Sequence, residues 1–531
     1  MKRISLLLFA AVWLLSACAI APQSPSSGLT FIHLNDTYRV GAVEDGNAGG
    51  FSRVVTLVRE LQDQGRDVRI LHGGDFLYPS LESQLWNGLQ MVDAMNFMDD
   101  IAPLYAVSGN HEFDRRKPDH VIAAVRASRF DWLGDNYRLN TGADDVDAAL
   151  QQAFTFQSGD KTVGVFALLL APVDGGNKRD YLEYDDDYVA VAKKTITGLE
   201  AQGVDLIIGV THLDMWTDVE IATLKAQHPK LAFIVGGHEH EPEYSPGTET
   251  SATVMKGASN ARVIWVIDVD FDAAGRATLR ERKVTLDESV ALDAEYEVLS
   301  NKWRARLLEK FPFLEARIGT AALPLDGREV AVRNEETNWG NFIVDQMRGA
   351  FGEQADLAFV NGGTLRIDDF VEDDILFEDI GRTFGFSSYL RQTTLTGAEF
   401  RNVLEAGYRG FGPSKGYFPQ ISGFRVCVDR SRAEFDRIVS LQVPAGERWV
   451  EIIDEKEYRV VVPDFLYRGG DGYDIPKDRP ATPPGSELKY LVLDGILLAQ
   501  AAGEKVGAPV DPRNPRYFEL EEGKQACFVA Y

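Results

Sequence analysis

The fold is indicated most clearly by the stretch Leu104-Tyr105-Ala106-Val107-Ser108-Gly109-Asn110-His111-Glu112-Phe113-Asp114. Its first four residues form a short apolar run typical of a buried strand, and the glycine with short polar residues ends that run in a turn. The amide, imidazole and carboxylate groups of the turn therefore follow the carboxyl end of a strand. Ligands of open α/β sheets bind at that edge.

Five other apolar runs have the same form, and each ends in a polar or glycine-rich turn. They are Thr30–Leu34, Val68–Leu71, Val163–Leu168, Leu206–Val210 and Ala232–Val235. Between the runs, Phe51–Gln62 and Leu85–Met98 carry apolar residues at helical spacing. This alternation predicts a layered α/β domain from Leu29 to about residue 274.

The turns after these strands carry side chains that bind metal ions. In chain order they are Asn35-Asp36-Thr37-Tyr38, Gly73-Gly74-Asp75, Gly109-Asn110-His111, Thr211-His212 and Gly236-Gly237-His238-Glu239-His240. Carboxylate, amide and imidazole ligands suit borderline or hard divalent cations. Two such cations ~3.5–4 Å apart activate water and neutralise charge in phosphoryl transfer. The series therefore predicts a dinuclear site with one bridging carboxylate.

All eight histidines lie within the first 240 residues. Four of them are left without a role in this site. His120 and His228 are expected on solvated helices, His33 in a buried strand, and His72 beneath the turn of Asp75. The imidazole chemistry is thus expected in the first domain.

A second α/β pattern begins at about Gly319, after a predicted helix between Asp287 and Phe311. We predict a first domain at 29–286, a connecting helix at 287–318 and a second domain at 319–531. Four segments of the second domain combine glycine turns, aromatic rings or arginines. They are 332–341, 360–366, 384–389 and 463–473.

The charge of the chain excludes one class of partner. Its 531 residues include 81 acidic and 55 basic side chains, for a formal charge of −26. Nucleic-acid binding needs the opposite sign. An anionic substrate therefore requires metals or local arginines.

The N-terminus predicts export. Lys2 and Arg3 precede an apolar segment that is too short to span a bilayer and has the length of a signal-peptide core. Leu15-Ser16-Ala17-Cys18 resembles the bacterial lipobox, which implies a signal peptide at 1–18, a lipidated Cys18 and a tether at 19–28. Ala19 resembles the residue of lipoproteins sorted to the outer membrane, facing the periplasm. An ordinary cleavable signal is the alternative.

Two cysteines remain downstream, Cys427 and Cys527. A bridge between them and a pair of buried thiols are both compatible with the sequence in an oxidising compartment.

The ordered turns resemble the signature of calcineurin-like metallophosphoesterases, and Gly-Gly-His-Glu-His resembles the 5′-nucleotidase family. The resemblance implies a four-layer αββα sandwich followed by an α/β (α+β) substrate domain, and two divalent ions such as Zn²⁺, Mn²⁺ or Co²⁺. It implies that His111, oriented by Asp114, faces the substrate phosphate. The implied ligand sets are Asp36, Asp75 and His240 for one ion, and Asp75, Asn110, His212 and His238 for the other.

The second-domain segments resemble the substrate-binding part of that family. The resemblance implies that Phe386 and Phe465 hold a nucleobase and Asp471 binds ribose. Asn361, Arg366 and Arg333 are implied to hold ribose and phosphate. The implied activity is hydrolysis of nucleoside 5′-monophosphates in the cell envelope, with UDP-sugar diphosphatase or 2′,3′-cyclic phosphodiesterase activity as alternatives.

The sequence departs from the family at one position. The first motif is usually Asp-X-His, but here it is Asp36-Thr37-Tyr38. A phenol with a pKa of about 10 is a weak ligand at neutral pH. This departure leaves a non-catalytic nucleotide-binding lipoprotein as a further alternative.

Overall fold

The computed structural model describes residues 28–172, 179–272, 275–412, 415–520 and 527–528. The predicted signal peptide, the lipobox with Cys18 and all but the last residue of the tether lie outside the described residues. Within the ranges described, no helix combines the length and the apolar character needed to cross a bilayer.

Two six-stranded sheets form the first domain. The first sheet has the spatial order Ala277–Thr285, Val263–Phe271, Leu29–Leu34, Asp67–His72, Leu104–Val107 and Asp131–Leu133. The second has the order Glu243–Ser245, Thr253–Lys256, Leu231–Gly236, Leu206–His212, Lys161–Leu169 and Phe154–Ser158. Neighbouring central strands are parallel in both sheets, so their polar turns share one edge.

The sheets pack face to face because their strands are apolar on both faces. Phe31 of the first sheet and Val235 of the second lie in the core between the sheets. Ile32 points the other way, onto the outer helices, as Ile207 does on the second sheet. The helices are Phe51–Asp63, Leu81–Trp86, Leu89–Asp99 and Asp119–Ala127 on the first sheet, and Tyr188–Ala201 and Met215–Ala222 on the second. The predicted αββα order of layers is therefore present.

The second domain is built on a four-stranded sheet in the order Leu390–Thr396, Glu457–Pro463, Leu357–Asn361 and Pro419–Ser422. Helices Asn338–Gly349 and Leu488–Ala502 cover one face. The other face packs on helix Gly397–Glu405 and a second sheet, with the strands Arg448–Glu451, Ile438–Ala445, Arg425–Val428 and Tyr517–Glu519.

The six predicted strands are all present, but two helices differ from expectation. The helix predicted over Leu85–Met98 is interrupted because Asn87 and Gly88 adopt left-handed φ values of 57° and 80°. The helix predicted from Asp287 spans Ala294–Lys310, since the Asp293 side chain caps its first turn. Its buried Tyr296 packs into the core of the first domain. The exact domain boundaries remain predictions.

A disulfide joins Cys427 to Cys527, with 5.9 Å between their Cα atoms. Cys427 lies in the strand Arg425–Val428. Of the two states compatible with the sequence, the structure contains the bridge.

Candidate active site

The predicted metal ligands converge at the shared edge of the two sheets. Asp36, Asp75 and His212 each offer a ligand atom, and these atoms all lie within 4.8 Å of one another. All three side chains are buried, with relative exposures of 1% or less. Buried carboxylates need a compensating positive charge, so this group is suited to a cation.

The remaining predicted ligands surround these three. His240 Nε2 lies 3.1 Å from Asp36 Oδ1. His212 Nε2 lies 3.3 Å from Asp75 Oδ2 and 3.1 Å from Asn110 Oδ1. The ring of His238 lies 5.4 Å from the ring of His212. The structure thus brings all six predicted ligands together. His240 lies beside Asp36, and His212 lies beside Asp75 and Asn110.

The backbone of these turns is held in an uncommon conformation. Asp36, Asp75, His238 and His240 have φ values of 53°, 57°, 90° and 64°. Non-glycine residues rarely adopt positive φ, at a cost on the order of 1–3 kcal/mol when strained. Such residues cluster at functional sites, where the surrounding structure fixes them.

Glu112 fixes the turn that carries Asp75, a role that sequence reasoning missed. Its buried carboxylate accepts hydrogen bonds from the backbone N–H groups of Asp75, Phe76, Leu77 and Gly109. A Cβ at Gly109 would lie 2.1 Å from Asp75 Oδ1, so only glycine allows this approach. The sequence does carry one indication of this role, because Glu112 directly follows Asn110 and His111 in the same turn.

Charge pairing stabilises these buried carboxylates. Burial acts to raise the pKa of Asp75, but the nearby imidazoles of His212 and His111 outweigh it and lower that pKa to about 2. Burial acts to lower the pKa of His212, but the Asp75 carboxylate raises it to about 10. Asp75 and His212 therefore favour each other's charged forms, and a divalent cation bound here would compete with the proton of His212.

The ligand geometry also fits a cation. His212 Nδ1 donates a hydrogen bond of 2.6 Å to the Gly73 carbonyl, which leaves Nε2 toward Asp75. Such backbone partners orient metal-ligating histidines. Burial, reinforced by the charge of His212, lowers the pKa of His238 to about 3, so its imidazole is neutral and able to bind metal. The residues present therefore fit divalent ions.

Tyr38 lies within this cluster. Its hydroxyl is 2.9 Å from His240 Nε2 and donates a 3.3 Å hydrogen bond to Asp36 Oδ1. Burial and the Asp36 carboxylate raise the pKa of Tyr38 well above its usual value. The phenol therefore stays protonated beside the first set of ligands.

His111 lies where the two domains meet. Its Nδ1 donates a 2.9 Å hydrogen bond to Asp114 Oδ2, and its backbone N–H donates to Asp75 Oδ1 over 2.9 Å. Burial acts to lower the pKa of His111, but Asp114 and Asp75 raise it above its usual value. Its ring centroid lies 5.8 Å from that of Phe386. An imidazole whose charged form is favoured by Asp114 and Asp75 thus faces the second domain.

The second domain closes over the metal cluster. Gln84 Nε2 donates to the Gly385 carbonyl over 2.6 Å, and Ser259 Oγ donates to Asp368 Oδ2 over 2.9 Å. The Arg366 guanidinium lies 5.3 Å from the ring centre of Tyr38 and 5.9 Å from that of Phe386. The site is therefore made by both domains.

Arg333 and Arg366 share one carboxylate. Glu329 Oε1 lies 2.8 Å from Arg333 Nη2 and 3.3 Å from Arg366 Nη1. Its other oxygen, Oε2, accepts from His240 Nδ1. Sequence reasoning missed Glu329, and no motif signalled it. The predicted phosphate-binding arginines are thus next to the metal ligands.

The other predicted substrate residues form a neighbouring group. Asn361 Nδ2 donates a 2.7 Å hydrogen bond to Asp471 Oδ2. A Cβ at Gly470 would lie 2.5 Å from the ring of Phe465, so glycine lets this ring lie flat on the turn before Asp471. Phe386 and Phe465 are both only partly buried. Both residues are therefore partly exposed to solvent.

The four histidines without a predicted role have structural partners. His33 contacts the carbonyls of Leu71 and Gly236, as expected for a buried strand position. The expectation that His120 and His228 are solvated is wrong, since their relative exposures are 1% and 8%. They are buried because each packs against a neighbouring element and pairs there. His120 bonds to the Glu112 carbonyl at 2.8 Å, and His228 to Glu200 at 2.8 Å.

Acidification is expected to destabilise the metal-free protein through His72. The ring is buried, where Nδ1 accepts from the Gly74 N–H and Nε2 donates to Thr37 Oγ1. Burial lowers its pKa from 6.5 to about 3. The unfolded chain therefore takes up this proton first. The contribution of the neutral His72 ring to the free energy of unfolding is fully present above pH 6.5. As the pH falls below 6.5, this contribution decreases by about 1.4 kcal/mol per pH unit.

Urea unfolding of the EDTA-treated chain between about pH 7 and pH 4 measures this effect. His72→Gln is expected to have a shallower pH dependence than the wild type. Equal slopes for the two proteins would contradict the assignment.

Two family models match the chain. The calcineurin-like phosphoesterase model matches residues 29–242, and the 5′-nucleotidase C-terminal domain model matches residues 317–478. A metallophosphoesterase domain of this kind acts with divalent metals, so these matches describe a metal-dependent phosphoester hydrolase.

Whole-chain comparisons agree with these matches. A 5′-nucleotidase of Mus musculus is 25% identical over 516 residues, covering 88% of both chains. The trifunctional nucleotide phosphoesterase YfkN of Bacillus subtilis is 26% identical over 537 residues, covering 93% of this chain and 35% of that protein. The structure of a Thermus thermophilus 5′-nucleotidase precursor has the same fold, with 23% identity, a TM-score of 0.82 and coverage of 93% and 100%. The chain therefore belongs to the 5′-nucleotidase family, with a calcineurin-like phosphoesterase domain followed by a 5′-nucleotidase C-terminal domain.

Proposed function

We propose that this protein hydrolyses nucleoside 5′-monophosphates to nucleoside and phosphate with two divalent cations. One observation carries the proposal. Arg366 lies beside Tyr38 of the metal cluster and also beside Phe386, so a phosphate and an aromatic base have adjacent partners. Guanidinium groups bind phosphate through paired hydrogen bonds, and aromatic rings stack on any base.

In this proposal, each metal set contains residues from both sheets. Asp36, Asp75 and His240 would hold one cation, and Asp75 with Asn110, His212 and His238 the other. Two bound divalent cations would lower the pKa of water and neutralise phosphoryl charge.

The chain's own residues would bind and orient the substrate. Arg333 and Arg366 would hold the phosphate, and Asn361 and Asp471 the ribose. His111, whose charged form is favoured by Asp114, would donate a hydrogen bond from Nε2 to a phosphate oxygen as charge develops there. Attack in line with the leaving oxygen then needs positioning more than covalent chemistry.

A substrate panel tests the function. Metal-stripped protein, alone and reconstituted with Mn²⁺, Co²⁺ or Zn²⁺, is assayed on AMP, UDP-glucose, 2′,3′-cyclic AMP and p-nitrophenyl phosphate. We expect metal-dependent turnover with AMP as the preferred substrate. Preference for UDP-glucose or the cyclic nucleotide would replace the proposed substrate class. Metal binding without turnover on any substrate would favour a protein that binds nucleotides without hydrolysing them.

Alanine at the base-binding rings is expected to raise KM for AMP. Stacking contributes about 1–3 kcal/mol per base, so Phe386→Ala and Phe465→Ala are each expected to raise KM by roughly 5- to 150-fold. The value of kcat for p-nitrophenyl phosphate, which has no base, is expected to change little. The exposed Phe435, also in the second domain, provides the control Phe435→Ala. An equal loss of kcat/KM for AMP and for p-nitrophenyl phosphate would show that the two rings contribute only to packing.

We also propose that Cys18 carries a lipid anchor and that the enzyme faces the periplasm from the outer membrane. The support is the charged and apolar N-terminal segment that ends in Leu15-Ser16-Ala17-Cys18. We expect Cys18→Ser to move the protein from the membrane fraction of the source bacterium to the soluble one. Wild-type protein already in the soluble periplasmic fraction would favour the ordinary cleavable signal.

A further inference from the structure

Glu329 is a carboxylate of the second domain that reaches the metal cluster of the first. It begins the short helix Glu329–Val332 and has a relative exposure of 3%. Its backbone N–H donates a 2.9 Å hydrogen bond to Asp368 Oδ1, which fixes the start of the helix. The backbone that carries this side chain is therefore anchored within the second domain.

The Glu329 carboxylate determines which nitrogen of His240 faces the metal ligands. Glu329 Oε2 pairs with His240 Nδ1, whereas His240 Nε2 lies 3.1 Å from Asp36 Oδ1. A carboxylate accepts only from a protonated nitrogen, so Nδ1 carries hydrogen. Nε2 is the nitrogen turned toward Asp36, so a cation beside Asp36 would bind Nε2. A carboxylate behind a metal-ligating histidine fixes its tautomer and raises its basicity.

Two arginines neutralise the negative charge of the buried Glu329 carboxylate. Its Oε1 lies 2.8 Å from Arg333 and 3.3 Å from Arg366. A buried carboxylate without such partners would be strongly unfavourable. The same two arginines are the proposed phosphate ligands. Glu329 thus connects the metal ligand of one domain with the phosphate-binding groups of the other.

We propose that Glu329 is a positioning residue for the cation held by Asp36 and His240, so that the second domain completes a metal site of the first. This inference rests on the proposed function, because it requires that site to bind metal. A purely structural role, in which Glu329 only pairs with the arginines, makes a different prediction. Removing Glu329 would then leave metal affinity unchanged.

Calorimetric titration of the metal-stripped full chain with Mn²⁺ tests the inference. We expect Glu329→Gln to weaken one of two Mn²⁺ sites by about 10- to 100-fold, the usual effect of losing such an outer partner. Glu329→Asp keeps the charge needed by Arg333 and Arg366 but withdraws it by one methylene. We expect Glu329→Asp to weaken the same Mn²⁺ site. This second variant keeps the inference testable if Glu329→Gln does not fold. Glu335→Gln, at an exposed carboxylate six positions along, is the matched control.

A double-variant comparison shows whether Glu329 acts through His240. Adding Glu329→Gln to His240→Ala is expected to change Mn²⁺ affinity by less than a factor of two. A loss of the same size with and without His240 would overturn the inference, as would unchanged affinity in both Glu329 variants. Wild-type protein that takes up no Mn²⁺ would overturn the proposed metal site itself, and this inference with it.

Discussion

Asp75→Asn is expected to lower kcat/KM for AMP by about 10⁴-fold, equivalent to about 5 kcal/mol of transition-state stabilisation. Asp75 contributes to both proposed ligand sets, and its Oδ2 lies 3.3 Å from His212 Nε2. Asparagine retains the oxygen that accepts from the His111 N–H. It removes the negative charge that two cations share. The variant should therefore fold and lose metal.

Elemental analysis together with kinetics checks this result. We expect fewer than two metal ions per chain in Asp75→Asn after reconstitution, against two in the wild type. Asp160→Asn, which makes the same charge change at an exposed position, is expected to behave as wild type. Near-normal turnover by Asp75→Asn would refute a bridging role for this carboxylate.

The metal ligands could be predicted because their signal is local. Asp75 lies in the turn that follows the apolar run Val68–Leu71, and His212 lies just after the run Leu206–Val210. Parallel strands bring their carboxyl ends to one edge. Sequence order was therefore enough to predict the cluster without any knowledge of distances. The same logic predicted six strands of the first domain, since each has a turn that ends it.

The residues that support the ligands have no such signal. Glu329 and His240 are 89 positions apart and belong to different domains. Lys256 ends a strand in the second sheet, where its Nζ donates a 3.0 Å hydrogen bond to the Gly237 carbonyl and pairs with Glu239. A charged residue in such a place is normally exposed, so nothing local distinguishes this buried one. Only the fold reveals these partners.

The broken helix at Asn87 and Gly88 shows a second limit. Apolar spacing continues across both residues from Leu85 to Met98, so periodicity alone predicts one helix. Two consecutive left-handed residues end the first helix and redirect the chain. Asn-Gly is a turn signal, and here it outweighs the apolar pattern.

His111→Asn is expected to lower kcat for AMP by about 10²- to 10³-fold, with little change in KM. The Asp114 carboxylate, 2.9 Å from Nδ1, and the nearby Asp75 raise the pKa of His111 despite its burial. A charged imidazole stabilises negative charge that develops on a phosphate oxygen in the transition state. Asparagine is polar but neutral, so it loses this stabilisation and keeps most of the shape.

The split between kcat and KM distinguishes this role from metal binding. If His111 acts on the transition state, the variant should keep two metal ions per chain and bind AMP nearly as wild type. His228→Gln, at an imidazole paired with Glu200 outside the active site, is the matched control. A variant that loses metal instead would show that the His111 side chain, whose Nε2 lies 3.9 Å from Asp75 Oδ2, holds that carboxylate in place. Metal content is therefore measured together with steady-state rates. Loss of kcat with metal retained indicates that the imidazole stabilises the transition state, whereas loss of metal indicates that it positions the metal ligands.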